Sequence, residues 1–167
     1  MVTDKRPNIE IELTQTDRLL EGLALAGLAV LLALPVAYYA ELPDTIPIHF
    51  NGKGEADGFG HKSTIWLMPG IGLALFALLT VVNRKSSNFN YPVRITPENA
   101  ESQYRLGTRM IRMLKVLIMI LFAWICWAMI QGAQSENPSI GAGFIWIILG
   151  GVFGTLGWYM WAAYREK

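Results

Sequence analysis

Residues 19–40 read LLEGLALAGLAVLLALPVAYYA, an apolar run interrupted by a single acidic residue, Glu21. At about 1.5 Å of rise per residue, a helix over this run crosses the hydrocarbon core of a bilayer, which is about 30 Å thick. Three further segments, at residues 64–82, 110–130 and 140–164, have a similar length and a largely apolar composition. The sequence therefore predicts an all-α membrane protein, a bundle of four transmembrane helices.

The basic residues are distributed unevenly around these spans. Of the 14 Lys and Arg residues, only Lys53 and Lys62 lie between the first and second spans. Because loops rich in Lys and Arg remain in the cytoplasm, we expect that segment outside and both chain termini inside. The predicted organisation is a cytoplasmic N-terminal segment (1–18), a four-span membrane domain (19–164) and a cytoplasmic tail (165–167). Within the membrane domain, residues 41–63 form the outer loop and residues 83–109 form the cytoplasmic loop.

The composition excludes several classes of protein. Charged residues make up 16% of the chain and hydrophobic residues 53%, whereas soluble domains contain about 25% charged residues. A formal net charge of +1 gives no reason to expect a nucleic-acid partner, and the composition implies the lipid bilayer as one partner. The one cysteine, Cys126, lies in the third span, so neither a disulfide nor a thiolate metal site is expected. We expect no cofactor.

The spans contain few of the ionisable groups that a transport pathway needs. Coupled transporters place acidic, basic or histidine side chains at membrane depth. Here Glu21 is the only such residue in the apolar runs 19–40, 64–82, 116–130 and 140–164. Arg105, Arg109 and Arg112 recur at helical spacing where the third helix enters the lipid. We expect these arginines to reach the lipid headgroups and to fix the orientation of the chain, rather than to form a ligand site.

Small residues recur at helical spacing in the first and fourth spans. Such residues let helix backbones approach closely in a bilayer, where no hydrophobic effect drives helices together. We expect them to pack helices within the bundle or between the copies of a homo-oligomer, and the sequence does not separate the two. These residues are Gly22, Ala26, Gly150, Gly154 and Gly157.

Two short cytoplasmic segments have the pattern of strands. Residues 8–13 read NIEIEL and residues 91–95 read YPVRI. Each is too short to be stable alone, so we predict that they pair as a small cytoplasmic strand pair. Signals for the start of a helix follow both segments: Thr14 stands three residues before Asp17, and Thr96 precedes a proline and an acid. The third helix is expected to extend well below the bilayer as one rod.

The outer loop has the pattern of a short β-hairpin. Pro43 and Pro47 favour an extended backbone, and residues 46–50 are predicted to form an edge strand. The dipeptides Asn51-Gly52 and Asp57-Gly58 are typical of turns. We therefore predict an extracytoplasmic hairpin that lies against the outer face of the membrane.

Five residues of this loop form the candidate binding site. Polar groups held between prolines and glycines on a short scaffold are typical of a recognition surface. An alternative is a divalent-metal site built by two imidazoles and a carboxylate, from His49, Asp57 and His61, although the chain contains no HExxH motif. The candidate binding residues are His49, Asn51, Gly54, Asp57 and Lys62.

The same loop carries a resemblance to a known family. Residues 42–62 contain the pattern LPxxIPxHFNxxGxxDxxGxK, which resembles the signature of a bacterial membrane domain of unknown function, number 1648. That domain forms the N-terminal part of SdpI-type immunity proteins, which protect a producing cell from its own secreted toxin and help to signal its presence. The resemblance extends over about residues 8–130. SdpI-type proteins continue into a second multi-span half, which this sequence lacks after its fourth span.

The resemblance implies a non-enzymatic integral membrane protein of the bacterial cytoplasmic membrane. Its outer loop would present a recognition surface to an extracellular peptide toxin or to another membrane protein. Two alternatives remain open at this point. One is a membrane enzyme that binds a metal through the outer His, Asp and Glu residues, and the other is an accessory subunit of a small-solute transporter.

Overall fold

The first helix begins where the sequence predicts a capping box. In the structure, a computed structural model that describes residues 6–167, Thr14 Oγ1 accepts the N–H of Asp17, and Asp17 Oδ2 accepts the N–H of Thr14. These bonds satisfy backbone donors that the first helical turn leaves without a partner. Helix α1 then runs over Gln15–Tyr38.

Within residues 6–167, a two-stranded antiparallel sheet and three more helices follow. The four helices, taken with the 3-10 turns that continue two of them, are long and apolar enough to cross a membrane. This confirms the prediction of a mostly helical chain with four apolar helices. The elements after α1 are β1 Thr45–Phe50, β2 Ala56–His61, α2 Leu67–Val82, α3 Ala100–Gly132 and α4 Phe144–Arg165.

Helix α3 is the centre of the bundle. It packs against α1, α2 and α4, whereas α4 packs mainly against α3. Its 33 residues form one rod about 50 Å long, which is longer than the hydrocarbon core of a bilayer, about 30 Å thick. The helix start predicted at Thr96 lies a few residues too early, because α3 begins at Ala100 with Asn99 at the N-cap. Thr96 and Asn99 instead close the turn before the helix: Thr96 N–H donates to Asn99 Oδ1 (2.9 Å), and Asn99 N–H donates to Thr96 Oγ1 (3.4 Å).

A buried apolar cluster joins the sheet to one end of the bundle. Ile46 of β1 and Ile65, which follows β2, are fully buried together with Leu31 of α1 and Met129 of α3. The hairpin is therefore a folded cap rather than a projecting loop. We call this end the hairpin end, and the opposite end, where α1 and α3 begin and α2 ends, the basic end.

The predicted strand pair at the basic end is wrong. Neither residues 8–13 nor residues 91–95 form a strand. The two segments nevertheless lie close together, because Ile11 and Tyr91 pack against the same buried cluster, which includes Tyr104 of α3. The sequence therefore predicted their proximity but not their backbone conformation.

Side chains occupy backbone groups that a strand pair would have used. Arg105 Nη1 donates to the carbonyl of Glu12 (3.4 Å), and Asn99 Nδ2 donates to the carbonyl of Arg94 (3.0 Å). Just before the first segment, the hydroxyl of Tyr104 donates to the carbonyl of Pro7 (2.9 Å). Pro92 has no N–H to offer. Contacts with α3 thus fix both segments without a ladder of backbone bonds.

Tyr91 holds the loop between α2 and α3 on the bundle. Its ring lies 6.1 Å from that of Phe89 and 5.4 Å from that of Tyr104, measured between centroids. Burial raises the pKa of Tyr91, so the hydroxyl stays protonated and donates to the carbonyl of Ser86 (2.8 Å). Gly107 of α3 gives this ring room, because a Cβ there would lie 3.1 Å from Tyr91.

The small residues predicted to pack helices face away from the bundle. A Cβ added at any of the four glycines would meet nothing within 4 Å, and the alanine is exposed. Helix contacts use other glycines instead: an added Cβ at Gly27 would lie 2.9 Å from Met119, and one at Gly151 would lie 2.9 Å from Leu117. Packing within the bundle is therefore not the role of the predicted stripe, and packing between copies stays a prediction. The outward-facing residues are Gly22, Ala26, Gly150, Gly154 and Gly157.

Candidate functional site

The turn of the hairpin is closed by Asn51, one of the five predicted site residues. Its Oδ1 accepts the N–H groups of Lys53 (2.9 Å) and Glu55 (3.1 Å), and its Nδ2 donates to the Glu55 carboxylate (3.2 Å). An asparagine side chain that bonds the following backbone in this way fixes a turn locally. The predicted turn at Asn51-Gly52 is confirmed, whereas Asp57-Gly58 lies within β2 because the turn is already complete at residue 55.

Gly54 is the point at which the hairpin meets the loop before α4. Its φ is +83°, in the left-handed region, and a Cβ would lie 2.5 Å from the carbonyl oxygen of Gly141. The carbonyl of Gly54 accepts the N–H of Ile140 and the hydroxyl of Ser139, both at 2.8 Å. This docking also explains why α4 begins at Phe144 rather than at the predicted residue 140.

Lys62 anchors the base of the hairpin. Its Nζ donates to the carbonyl of Leu42 (3.2 Å), lies 3.3 Å from the Asp44 carboxylate and sits 5.6 Å from the ring centroid of Tyr39. Its side chain is only 22% exposed. Asn51, Gly54 and Lys62 therefore maintain the shape of the hairpin rather than present a surface.

The other two predicted binding residues form an exposed pair. His49 lies opposite Gly58 in the antiparallel register, and its Nδ1 is 2.5 Å from Asp57 Oδ1. The side chains are 70% and 45% exposed, respectively. Gly58 makes room for the pair, because a Cβ there would lie 2.9 Å from the Cβ of His49. The structure thus brings together on the surface two residues that the sequence singled out.

The predicted metal set is only partly assembled. His61 uses Nδ1 at the start of the 3-10 turn Lys62–Trp66, where it lies 2.9 Å from Ser63 Oγ and accepts the N–H of Ser63 (3.2 Å). Across residues 6–167, no group of three or more His, Cys, Asp or Glu side chains could hold a metal ion. His49 and Asp57 are therefore without a third ligand from the described chain.

The exposed pair is suited to recognition. Asp57 engages Nδ1 of the imidazole and so fixes the ring, which leaves Nε2 as the nitrogen available to a partner. Two large apolar side chains of the same hairpin are exposed as well, Ile48 at 39% and Phe59 at 55%. The hairpin therefore exposes both an oriented hydrogen-bonding group and apolar side chains.

A second polar site lies at the basic end, between α1 and α3. Asp17 is 1% exposed, and its Oδ1 lies 3.1 Å from Arg109 Nε and 3.7 Å from Arg112 Nη1. One turn further along α1, Glu21 accepts from Arg112 Nε (3.1 Å) and from Lys115 Nζ (2.5 Å). We call these five residues the ion network.

The ion network corrects the sequence-based interpretation of the basic stripe. Arg109 and Arg112 were expected to reach the lipid headgroups, whereas their side chains are only 22% and 9% exposed and point at carboxylates of α1. Lys115 is completely buried and also donates to Thr80 Oγ1 of α2 (3.1 Å). The third residue of the stripe, Arg105, pairs with Glu101 on its own helix (2.8 Å).

A signal for the ion network was present in the sequence. Asp17 and Glu21 are four residues apart, and Arg109, Arg112 and Lys115 are three residues apart, so each set occupies one face of its helix. Oppositely charged faces at the same depth in two helices predict a contact between them. That signal was missed because the arginines were considered without the acids of α1.

Comparison with known proteins gives a family match over the part of the chain that contains the hairpin. Residues 26–73 match the family model of a Domain of unknown function (DUF1648). The match covers the whole hairpin. An uncharacterized protein of Archaeoglobus fulgidus is 32% identical over 72 residues, which cover 43% of this chain and 39% of that protein. No solved structure matches the chain.

Proposed function

We propose that this chain is a non-enzymatic, multi-pass membrane protein whose hairpin recognises a peptide toxin or another membrane protein outside the cytoplasm. The observation that carries the proposal is that different residues of the hairpin maintain its shape and form its exposed polar surface. Asn51, Gly54 and Lys62 hold its shape through buried or backbone contacts, whereas His49 and Asp57 bond to each other at the surface.

The hairpin is built to bind without rearrangement. The loop before α4 docks on its turn, and Ile46 and Pro47 are buried under it. A surface that is already ordered loses little conformational entropy on binding, so a small patch can reach useful affinity. Functional residues on loops held by a rigid scaffold are the usual arrangement for recognition.

The charge distribution supports an outer position for the hairpin. Among the Lys and Arg residues of the described range 6–167, only Lys53 and Lys62 lie at the hairpin end, and the others lie at or near the basic end. The positive-inside rule then puts the basic end and both termini in the cytoplasm. A partner that arrives from outside would meet the hairpin first.

The match to DUF1648 supports a more specific role. SdpI-type immunity proteins carry this domain as their N-terminal part, and the matched residues contain the complete hairpin. We therefore propose immunity to, or detection of, a secreted peptide toxin as the biological function. The cellular membrane of a bacterium would be its location.

A protection assay tests this function. The chain is expressed in a bacterium sensitive to the peptide toxin against which SdpI-type proteins protect, and survival is compared for the native chain, His49→Ala, Asp57→Ala and Lys53→Ala. Lys53 serves as the matched control because it is exposed on the same hairpin and is not part of the exposed pair. It takes part in the turn through its backbone N–H, which alanine keeps. We expect protection by the native chain and by Lys53→Ala, and loss of protection in the other two variants.

Thermal unfolding of the purified variants separates recognition from folding. An exposed ion pair contributes about 0–1 kcal/mol, so His49→Ala and Asp57→Ala should unfold close to the native melting temperature. Full protection by both variants would contradict the assignment of the pair as the recognition site. A large fall in melting temperature for both would instead mean that the pair maintains the hairpin.

A further inference from the structure

A polar cleft lies at the basic end, far from the hairpin. Its volume is about 800 Å³, and its walls are the segment of residues 8–13, the ends of α1, α2 and α3, and the residues that follow α2. Polar and charged side chains dominate the part between the helices. The residues used in the argument below are Glu21, Thr80, Asn83, Arg84, Lys85 and Arg112.

Buried polar atoms in this cleft lack hydrogen bonds. Arg112 is 7% exposed and its Nη1 has no hydrogen-bond partner, and Asp17 Oδ1 lies 3.7 Å from it, beyond hydrogen-bond distance. Both amide atoms of Asn83, at the end of α2, are buried and unbonded as well. Because buried polar groups in folded proteins almost always have partners, these atoms are the natural contacts for a bound polar group.

The charges of the ion network do not balance. Three cations, Arg109, Arg112 and Lys115, meet two carboxylates, Asp17 and Glu21. One positive charge therefore remains in a region where Lys115 and Arg112 are almost completely removed from solvent. An uncompensated buried charge is costly, so the missing partner is expected to be an anion.

The donors in the cleft favour a phosphate group among anions. Arg112 Nη1 and Asn83 Nδ2 offer N–H groups that nothing in the described chain accepts. Three basic side chains line the cleft, and they outnumber the two acidic ones, Glu10 and Glu21. A phosphate group can accept from several such donors at once, and arginine matches its oxygens in geometry as well as in charge. The cleft also lies at the end of the apolar helices, where the headgroups of a bilayer would be.

We propose that this cleft binds a phosphate group, held by Arg112 and Asn83 and neutralising the excess charge of the ion network. The phosphate belongs either to the headgroup of an anionic phospholipid or to a soluble phosphate compound. The site is separate from the hairpin and does not depend on the function proposed for it.

Melting temperatures in a phosphate-free detergent test the proposal. The full chain is purified in dodecylmaltoside without phosphate, and inorganic phosphate or a short-chain phosphatidylglycerol is titrated against chloride at equal ionic strength. We expect a saturable rise in melting temperature that chloride does not reproduce. A rise with phosphatidylglycerol alone assigns the phosphate to a lipid headgroup, and a rise with both probes assigns the site to phosphate groups in general.

Variants tie the effect to the cleft. Asn83→Ala removes a side chain that has no partner in the folded chain, so the fold loses no hydrogen bond, and Arg112→Gln removes the buried guanidinium. Each should weaken binding of the probe about tenfold or more, because hydrogen bonds to charged groups are the strong ones. Arg18→Gln is the matched control, since Arg18 is an exposed arginine of α1 at the same end.

Three results would overturn the proposal. They are the absence of a saturable rise with both probes, native affinity in Asn83→Ala, and an equal loss of affinity in Arg18→Gln. The first would mean that water alone satisfies the buried atoms. If Arg112→Gln fails to fold, the probe affinities of Asn83→Ala and Arg18→Gln still test whether the probe binds in the cleft.

Discussion

Replacing Glu21 by glutamine tests the charge balance of the ion network. Glu21 accepts from Arg112 Nε and from Lys115 Nζ, and Lys115 is completely buried. The substitution keeps the shape of the side chain but removes one of two carboxylates. Three cations would then face Asp17 alone, so the excess of positive charge in the network rises from one to two.

The cost follows from the burial of the cations. Removing one partner of a buried ion pair costs about 3–5 kcal/mol. Because the Glu21 side chain is 32% exposed, we take the lower end of that range, about 3 kcal/mol. For a chain of this size, 1 kcal/mol corresponds to about 2–4 °C, so the melting temperature should fall by roughly 6–12 °C.

Removing a cation of the network instead of a carboxylate, by Lys115→Met, should lower the stability of the chain less. It removes the bonds to Glu21 and Thr80, but Glu21 keeps its bond to Arg112, and two cations then face two carboxylates. We expect a loss of about 1 kcal/mol, or roughly 2–4 °C. In the double variant the excess returns to one charge, so its loss should be smaller than the sum of the two single losses.

Thermal unfolding in detergent and phosphate-free buffer measures all three variants. Glu101→Gln is the control, because Glu101 also pairs with a basic residue at the same end, Arg105, but its side chain is 69% exposed. This substitution should change the melting temperature little. Equal losses for Glu21→Gln and Lys115→Met, or a larger loss for Lys115→Met, would refute the reasoning from charge balance.

Three glycine substitutions test the packing of the chain. Gly151→Leu should destabilise by about 1–3 kcal/mol, because even a Cβ there would lie 2.9 Å from Leu117, whereas Gly154→Leu, with nothing within 4 Å, should leave the melting temperature nearly unchanged. A fall for Gly154→Leu that depends on protein concentration would indicate the homo-oligomer instead. Gly54→Ala should lower the free energy of unfolding by about 1–3 kcal/mol, because Gly54 has a left-handed backbone and contacts Gly141. The substitution should also speed hydrogen exchange at residues 138–141. Unchanged exchange there would contradict the role of Gly54 in docking the loop before α4.

The parts of the structure that follow from local chemistry could be predicted from the sequence. Apolar runs and capping residues predicted the helices, since a helix start such as Thr14 with Asp17 needs only its own side chains. The turn at Asn51 is local in the same sense. The proximity of His49 and Asp57 followed from the hairpin, because eight residues separate them across a short turn.

The parts that depend on the rotation of one helix about another could not be predicted in the same way. The stripe containing Gly22 and Ala26 was expected to pack helices either within the bundle or between copies, and within the bundle α1 buries Ala24, Leu28 and Leu31 instead. The contact of Arg112 with Glu21 depends on the same rotation. The strand pair failed for a different reason, because Arg105 of α3 and the N-cap residue Asn99 bond to carbonyls, of Glu12 and Arg94, that a ladder of backbone bonds would have used.

The position of the hairpin relative to the membrane is the most direct test of the recognition function. Lys53→Cys and Asn88→Cys are introduced separately into a Cys126→Ser background and treated on intact cells with a thiol reagent that cannot cross the membrane. Both positions are exposed, one at the turn of the hairpin and one at the basic end. We predict labelling at position 53 and none at position 88 until the cells are lysed. Labelling at position 88 but not at position 53 would put the hairpin in the cytoplasm and contradict recognition of an external partner.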